Sequence, residues 1–220
     1  MTGATRGIGR ATALRFAQRG ADVVLVARDE RRLDALRLEA RAANNDRVFW
    51  VRADFASLAS VRGAAEEIAH RWPAIHVLVN NAGVNSARRA ASADGHEMTY
   101  AVNHLAPFLL TTLLVPALAR AAPSRIVEVT SIFAHLGRVD FDDPMFARRR
   151  YNSTSAYTQS KLANAMSSIE LTGASAPARI DAASAVRGTI SGSRRSVRGR
   201  RSRPRSDANI ERRGARSGTA

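Results

Sequence analysis

Cysteine is absent from the 220 residues, which excludes disulfides, thiolate metal ligation and a cysteine nucleophile. Lysine is nearly absent. Lys161 is the only one, and the other 33 of the 34 basic residues are arginine. Aromatic residues make up 5%, too few for base stacking along the whole chain. Negative charge is scarce too: 19 acidic residues against 34 basic ones leave +15. The longest apolar segment, Ala106 to Ala119, is short for a bilayer and is interrupted by Thr111, Thr112 and Pro116. The opening MTGATRGIG lacks the apolar stretch of a signal peptide. These absences lead to the expectation of a soluble, cytoplasmic protein with no membrane span.

What is present is a hydrophobic content of 45%, enough for a sizeable core. The excess of positive charge alone suggests a polyanion partner such as nucleic acid. It is unevenly spread, however. Residues 1–170 carry 22 basic and 16 acidic residues, net +6, and residues 171–220 carry 12 and 3, net +9.

Through the first 170 residues, apolar runs alternate with helical patterns. Ala21 to Ala27, Arg47 to Ala53, Ile75 to Asn80 and Arg125 to Thr130 read as strands buried on both faces. Ile8 to Arg19, Asp29 to Ala43, Leu58 to Trp72, Gly95 to Ala121 and Ser155 to Leu171 read as helices. This alternation predicts an α/β fold, a Rossmann-like doubly wound parallel sheet, over residues 1–171. After Thr172 the pattern stops. Forty of the last 50 residues are Ala, Arg, Gly, Pro, Ser or Thr, which predicts a disordered Arg-rich tail over 172–220.

Thr2-Gly3-Ala4-Thr5-Arg6-Gly7-Ile8-Gly9 opens the first helix. Gly3, Gly7 and Gly9 would let backbone approach a pyrophosphate, with Thr5, Arg6 and Ile8 in the same turn and free N–H groups at the helix start. Arg28 ends the second strand, where an acid would select NAD. Arg6 and Arg28 together favour a 2′-phosphate and hence NADP(H). Asp29 follows Arg28 and keeps NAD as the alternative.

Tyr157 and Lys161 stand four apart on a helix, so they share a face. A free tyrosine has a pKa of about 10, and a nearby ammonium stabilises its phenolate. In a chain that uses arginine everywhere else, the one lysine stands a turn from a tyrosine. His70, His76, His96, His104 and His135 have no metal-ligand spacing. Asp140, Asp142 and Asp143 have the chemistry of a calcium site but read rather as a solvated loop near the mouth of the site, so no metal is expected.

Together these motifs resemble the short-chain dehydrogenase/reductase family from Thr2 to about Leu171. They are the glycine turn, Asp54, the run Asn80-Asn81-Ala82-Gly83, Asn103, Ser131, and Tyr157 with Lys161. The segments VNHLAPFLL, SIFAHLG and SKLAN, with the insert from Arg138 to Ser155, are similar to the retinol-dehydrogenase-like branch. The resemblance implies NADP(H)-linked interconversion of an alcohol and a carbonyl, on a small-molecule substrate. It also implies roles. Tyr157 moves the proton at the substrate oxygen, and Lys161 holds the nicotinamide ribose and lowers the tyrosine pKa. Ser131 bonds the carbonyl oxygen, and Asn103 holds a water linked to Lys161. Asp54 meets the adenine, Asn81 meets the adenosine ribose or the central strand, and Ala82 and Gly83 complete that edge of the cofactor site. Members of the family often form homo-oligomers.

The chain departs from the pattern at both ends. Only Met1 remains of a first strand expected in mid-sheet, and no sixth strand or Pro-Gly turn is expected after Thr172. A truncated start and an out-of-frame end are therefore inferred. Two alternatives stand beside the enzyme: an inactive fragment of one, and, ranked last, a nucleic-acid-binding protein acting through SRRSVRGRRSRPRS.

Overall fold

The structure is a computed structural model that describes residues 1–174, 178–186 and 189–191. Six helices and six strands succeed one another there. They are α1 (Gly7–Gln18), β1 (Val23–Ala27), α2 (Glu30–Ala42), β2 (Val48–Arg52), α3 (Leu58–Arg71), β3 (Val77–Asn80), α4 (Met98–Tyr100), α5 (Ala106–Arg120), β4 (Ser124–Val129), α6 (Ser153–Ala174), β5 (Ile180–Val186) and β6 (Thr189–Ser191). A π-helical segment, Ala101–Leu105, joins α4 to α5, and a 3-10 turn, Ile132–Leu136, follows β4.

β1 pairs with β2, and β3, β4 and β5 pair in that order, all in parallel, with β6 antiparallel at the end. Parallel strands need helical crossovers, which cover both faces. Successive side chains of β1 accordingly enter different cores. Val23 and Leu25 pack with Ala13, Ala17, Leu33 and Leu36 of α1 and α2. Val26 packs with the larger cluster built on α3, α5, Leu78 and Ile126.

The place between β1 and β3 is filled by Met1 to Gly3. Val26 N–H donates to Met1 O (2.8 Å), Gly3 N–H to Val26 O (3.0 Å) and Thr2 N–H to Val79 O (2.9 Å). The expected loss of the central strand is thus incomplete, because a stub of it bonds both neighbours.

Two further differences from the sequence reading have physical causes. A strand does form after Thr172: β5 lies along β4, with Ile180 and Ala182 buried. Its residues are mostly small, so its burial comes from the neighbours that cover it rather than from its own hydrophobicity. Residues 175–177, 187–188 and 192–220 of the Arg-rich segment lie outside the described residues. The apolar run from Ala106 is also longer as a helix than as a sequence. From Met98 to Arg120 the helical turns are continuous over 23 residues, and the most apolar 18 of these have a mean hydropathy of 1.6, with 56% of that stretch buried in the fold. Thr99, Asn103 and His104 interrupt the run in sequence without interrupting the helix.

Candidate active site

The glycine turn crosses from the strand stub to α1. Gly3 and Gly7 have φ of +64° and +51°, which favour residues without a Cβ. A Cβ on Gly9 would lie 2.2 Å from Gly3 O and 2.4 Å from Asn81 Nδ2, so the turn can close only on glycine. A Cβ on Gly7 would meet nothing within 4 Å, which leaves room above the turn. Arg6 precedes α1, and no side chain caps the helix. Its first N–H groups are therefore available to an anion. Arg6 and Ile8 are exposed, and Thr5 is half-buried.

The Asn80–Gly83 segment is clamped onto this turn. Thr2 Oγ1 accepts from the N–H groups of Asn81 and Ala82, both at 3.0 Å. Asn81 Nδ2 donates to Thr2 O (3.2 Å) and Gly3 O (3.0 Å). Asn81 is thereby bonded to the strand stub. Thr2 is wholly buried here, a bracing role its sequence position did not signal.

Arg28 and Asp54 end neighbouring strands and face each other at 3.9 Å, both exposed. Asp29 is occupied elsewhere. It caps α2 by accepting from Arg32 N–H (3.2 Å) and pairs with Arg32 Nε (2.9 Å).

Asn103 lies in the π-helical segment, a distortion frequent at functional sites, and is fully buried. Its Oδ1 accepts from Val84 N–H (2.7 Å), while its Nδ2 donates to Val84 O (2.9 Å) and Ser160 Oγ (3.0 Å). Its main-chain carbonyl accepts from Asn164 Nδ2 (2.8 Å). These bonds tie the segment after β3 to α6. His104 stacks between Tyr100 and Phe108 and bonds Asn164, as a packing residue would.

Ser131 begins the 3-10 turn, its Oγ accepting from Phe133 N–H (3.2 Å). The turn ends against α6, where a Cβ on Gly137 would lie 2.6 Å from Thr158 O. Ser131 and Tyr157 thus belong to contiguous pieces. Lys161 Nζ lies 5.9 Å from the centre of the Tyr157 ring and donates to Val129 O (2.9 Å). A Cβ on Gly83 would sit 3.4 Å from that Nζ, so Gly83 leaves space for the lysine head. Burial holds the Lys161 ammonium down to about 8, with Glu128 opposing the shift.

Glu128 was not singled out by the sequence. It is buried in β4, where its carboxylate accepts from Asn80 Nδ2. Burial pushes its carboxyl up to about 7, against the opposing effects of Asn80 and Lys161. Its signal was available: an acid at the centre of the apolar run RIVEVT.

The insert after the 3-10 turn folds around Asp143, which is not a loose solvated residue. It accepts from the N–H groups of Ala147, Arg148 and Arg149. Arg149 in turn reaches Asp140 and, on α6, Gln159.

Fold and site together define a class: a doubly wound α/β protein with a glycine turn at one helix start and a Tyr/Lys pair on another helix. A family model described as short chain dehydrogenase matches residues 1–199, past the expected boundary at 171. The chain belongs to the short-chain dehydrogenase family, on its retinol-dehydrogenase-like branch. Retinol dehydrogenase 13 of Homo sapiens is 41% identical over 172 residues, covering 78% of this chain and 52% of the relative. Polyprenol dehydrogenase of Mus musculus is 44% identical over 176 residues, with the same coverages of 78% and 52%. Among solved structures, a short-chain dehydrogenase from Sphingobium yanoikuyae in complex with NADPH superposes with a TM-score of 0.68 at 28% identity, covering 84% of this chain and 68% of that one. The chain spans about half the length of the curated relatives it matches.

The expected cytoplasmic location does not stand. The chain is similar to a retinol dehydrogenase and a polyprenol dehydrogenase, and by length and composition the Met98–Arg120 helix is long and apolar enough to cross a membrane.

Proposed function

We propose that this chain carries the site of an NADP(H)-linked oxidoreductase that interconverts an apolar alcohol and its carbonyl. The observation that carries the reading is the seat of Lys161, which is buried, bound to Val129 O and one turn from Tyr157, with Gly83 leaving room for its head. The residues present fit a dinucleotide. The open side of Gly7, the uncapped start of α1 and the exposed Arg6 and Arg28 suit its phosphates. When bound, the nicotinamide supplies or accepts the hydride.

The chain's own residues handle the proton and the positioning. The Tyr157 hydroxyl gives a proton to the carbonyl oxygen in reduction and takes it back in oxidation. The Lys161 ammonium provides fixed positive charge beside the phenol and a donor for ribose hydroxyls. The Ser131 hydroxyl donates to the substrate oxygen as charge develops there. Asn103 positions α6 and the segment after β3. Asp54 is the residue of the β2 end that would face the adenine. The apolar substrate class is supported by Ile132, Phe133, Leu136 and Phe141, all exposed in and just after the turn that begins at Ser131.

The test is NADP⁺ reduction by the full chain with a long-chain apolar alcohol. Tyr157→Phe should lower kcat by about a thousandfold while leaving NADPH binding intact, the scale of losing a positioned acid–base group. Undiminished turnover would remove Tyr157 from the mechanism.

A further inference from the structure

Glu128 and Lys161 are both buried, at 4% exposure each, and both sit on the C-terminal half of β4, one as part of the strand and one bonded to Val129 O. Glu128 faces Asn80 across the β3–β4 pair and Ser184 across the β4–β5 pair. Among the described residues its carboxylate takes one hydrogen bond, from Asn80 Nδ2, which also donates to Thr111 Oγ1. The Asn80 Oδ1 on that amide has no partner among the described residues. A buried carboxylate with a single neutral donor needs a cation nearby to remain ionised.

The other charged or titratable groups on the surrounding elements are engaged elsewhere or face solvent. Asp181 pairs with Arg125 at the surface, and Arg120 donates to Pro73 O. Glu97 accepts from Thr99 and Tyr100 N–H, and Tyr100 stacks on His104, which is bound to Asn164. Arg149 is held by Asp140 and Gln159, and His135 and Glu170 are exposed. That leaves Glu128, whose strand neighbour Val129 holds the Lys161 ammonium by its carbonyl, and Tyr157, whose ring centre lies 5.9 Å from Nζ, as the ionisable groups beside Lys161 among the described residues.

We propose that Glu128 is a positioning residue that holds the Lys161 ammonium in its charged form on the alkaline side of neutrality. The proposal rests on the Tyr157/Lys161 reading above for its functional meaning. The sign follows from charge. An ionised Glu128 favours the ammonium, so Lys161 keeps its proton to higher pH than the same buried lysine would alone. With a neutral side chain at 128, Lys161 loses its charge earlier as pH rises, and the alkaline limb of turnover moves down with it.

The single lysine makes the test direct. The 220-residue chain carrying an isotope label at lysine Cε gives one side-chain NMR signal, which titrates Lys161 without any turnover. In the parent chain that signal should titrate with its own midpoint and show a second, smaller inflection as Glu128 ionises. In Glu128→Gln the midpoint should fall by about half a unit or more, and Glu128→Asp should restore it. An unchanged midpoint in folded Glu128→Gln overturns the proposal. If that variant does not fold, a parent titration with no second inflection overturns it instead. Activity separates this from the underlying reading. If Tyr157→Phe turns over normally while the lysine midpoint still moves, the Tyr157 mechanism fails and the coupling stands.

Discussion

Arg28 stands in the open just after β1, its side chain 68% exposed, and among the described residues it makes a single long contact, to Asp54. An exposed pair at that distance contributes little to stability, so the guanidinium is available to a ligand phosphate. Arg28→Ala should weaken NADPH binding about tenfold and leave NADH nearly unchanged, as calorimetry with both would show. Equal losses for the two cofactors would mean that Arg28 does not read the 2′-phosphate. Deeper in the site, Glu128 and Lys161 set a pH dependence of stability. Glu128, raised from 4.5 to about 7, binds more protons folded than unfolded between those values, so stability falls as pH rises through that window. Lys161, lowered from 10.5 to about 8, binds fewer protons folded, so stability recovers between about 8 and 10.5. Urea titrations from pH 4 upward should show a decline of up to about 3 kcal/mol that Glu128→Gln abolishes.

At the scale of elements, the insert that precedes the Tyr157 helix is held by bonds from its own side chains. Asp143 gathers three consecutive N–H groups of the insert, and Arg149 ties that loop to Gln159 of α6. Asp143→Ala leaves those donors without their acceptor. Amide hydrogen exchange at Ala147, Arg148 and Arg149 should quicken by about tenfold or more, while the core of β4 is unchanged. The helix spacings and strand runs were legible in sequence because burial repeats with the period of the element. β5 was not, because Ala182, Ala183 and Ala185 carry little hydrophobic signal and become strand only against β4. In sequence the insert has the look of solvated acid, because composition does not reveal that its carboxylates serve nearby N–H groups.

Across the whole molecule, two cores lie on either side of a sheet whose middle is three residues wide in sequence. The α1–β1–α2–β2 part has the smaller core, and Met1 to Gly3 carry its hydrogen bonds to β3. That part should open at lower free energy than the β3–β4–β5 part in native-state hydrogen exchange. Leu25 and Ile126 amides exchanging with one common free energy and denaturant slope would show a single cooperative unit instead. More than half of the +15 charge lies after residue 170.

The sequence by itself determined the class of fold, the glycine turn and the Tyr157/Lys161 pair, because each is a local matter: an apolar period, a residue without a Cβ, a spacing of one helical turn. The tertiary structure decided what local pattern cannot contain. It set Thr2 and Asn81 to brace the turn across nearly 80 residues, made Ile180–Val186 a strand, and buried Glu128 near the lone lysine. Each of these depends on groups distant in the chain removing one another from water, and hydrogen bonding and charge are decided there by the neighbours that the fold supplies.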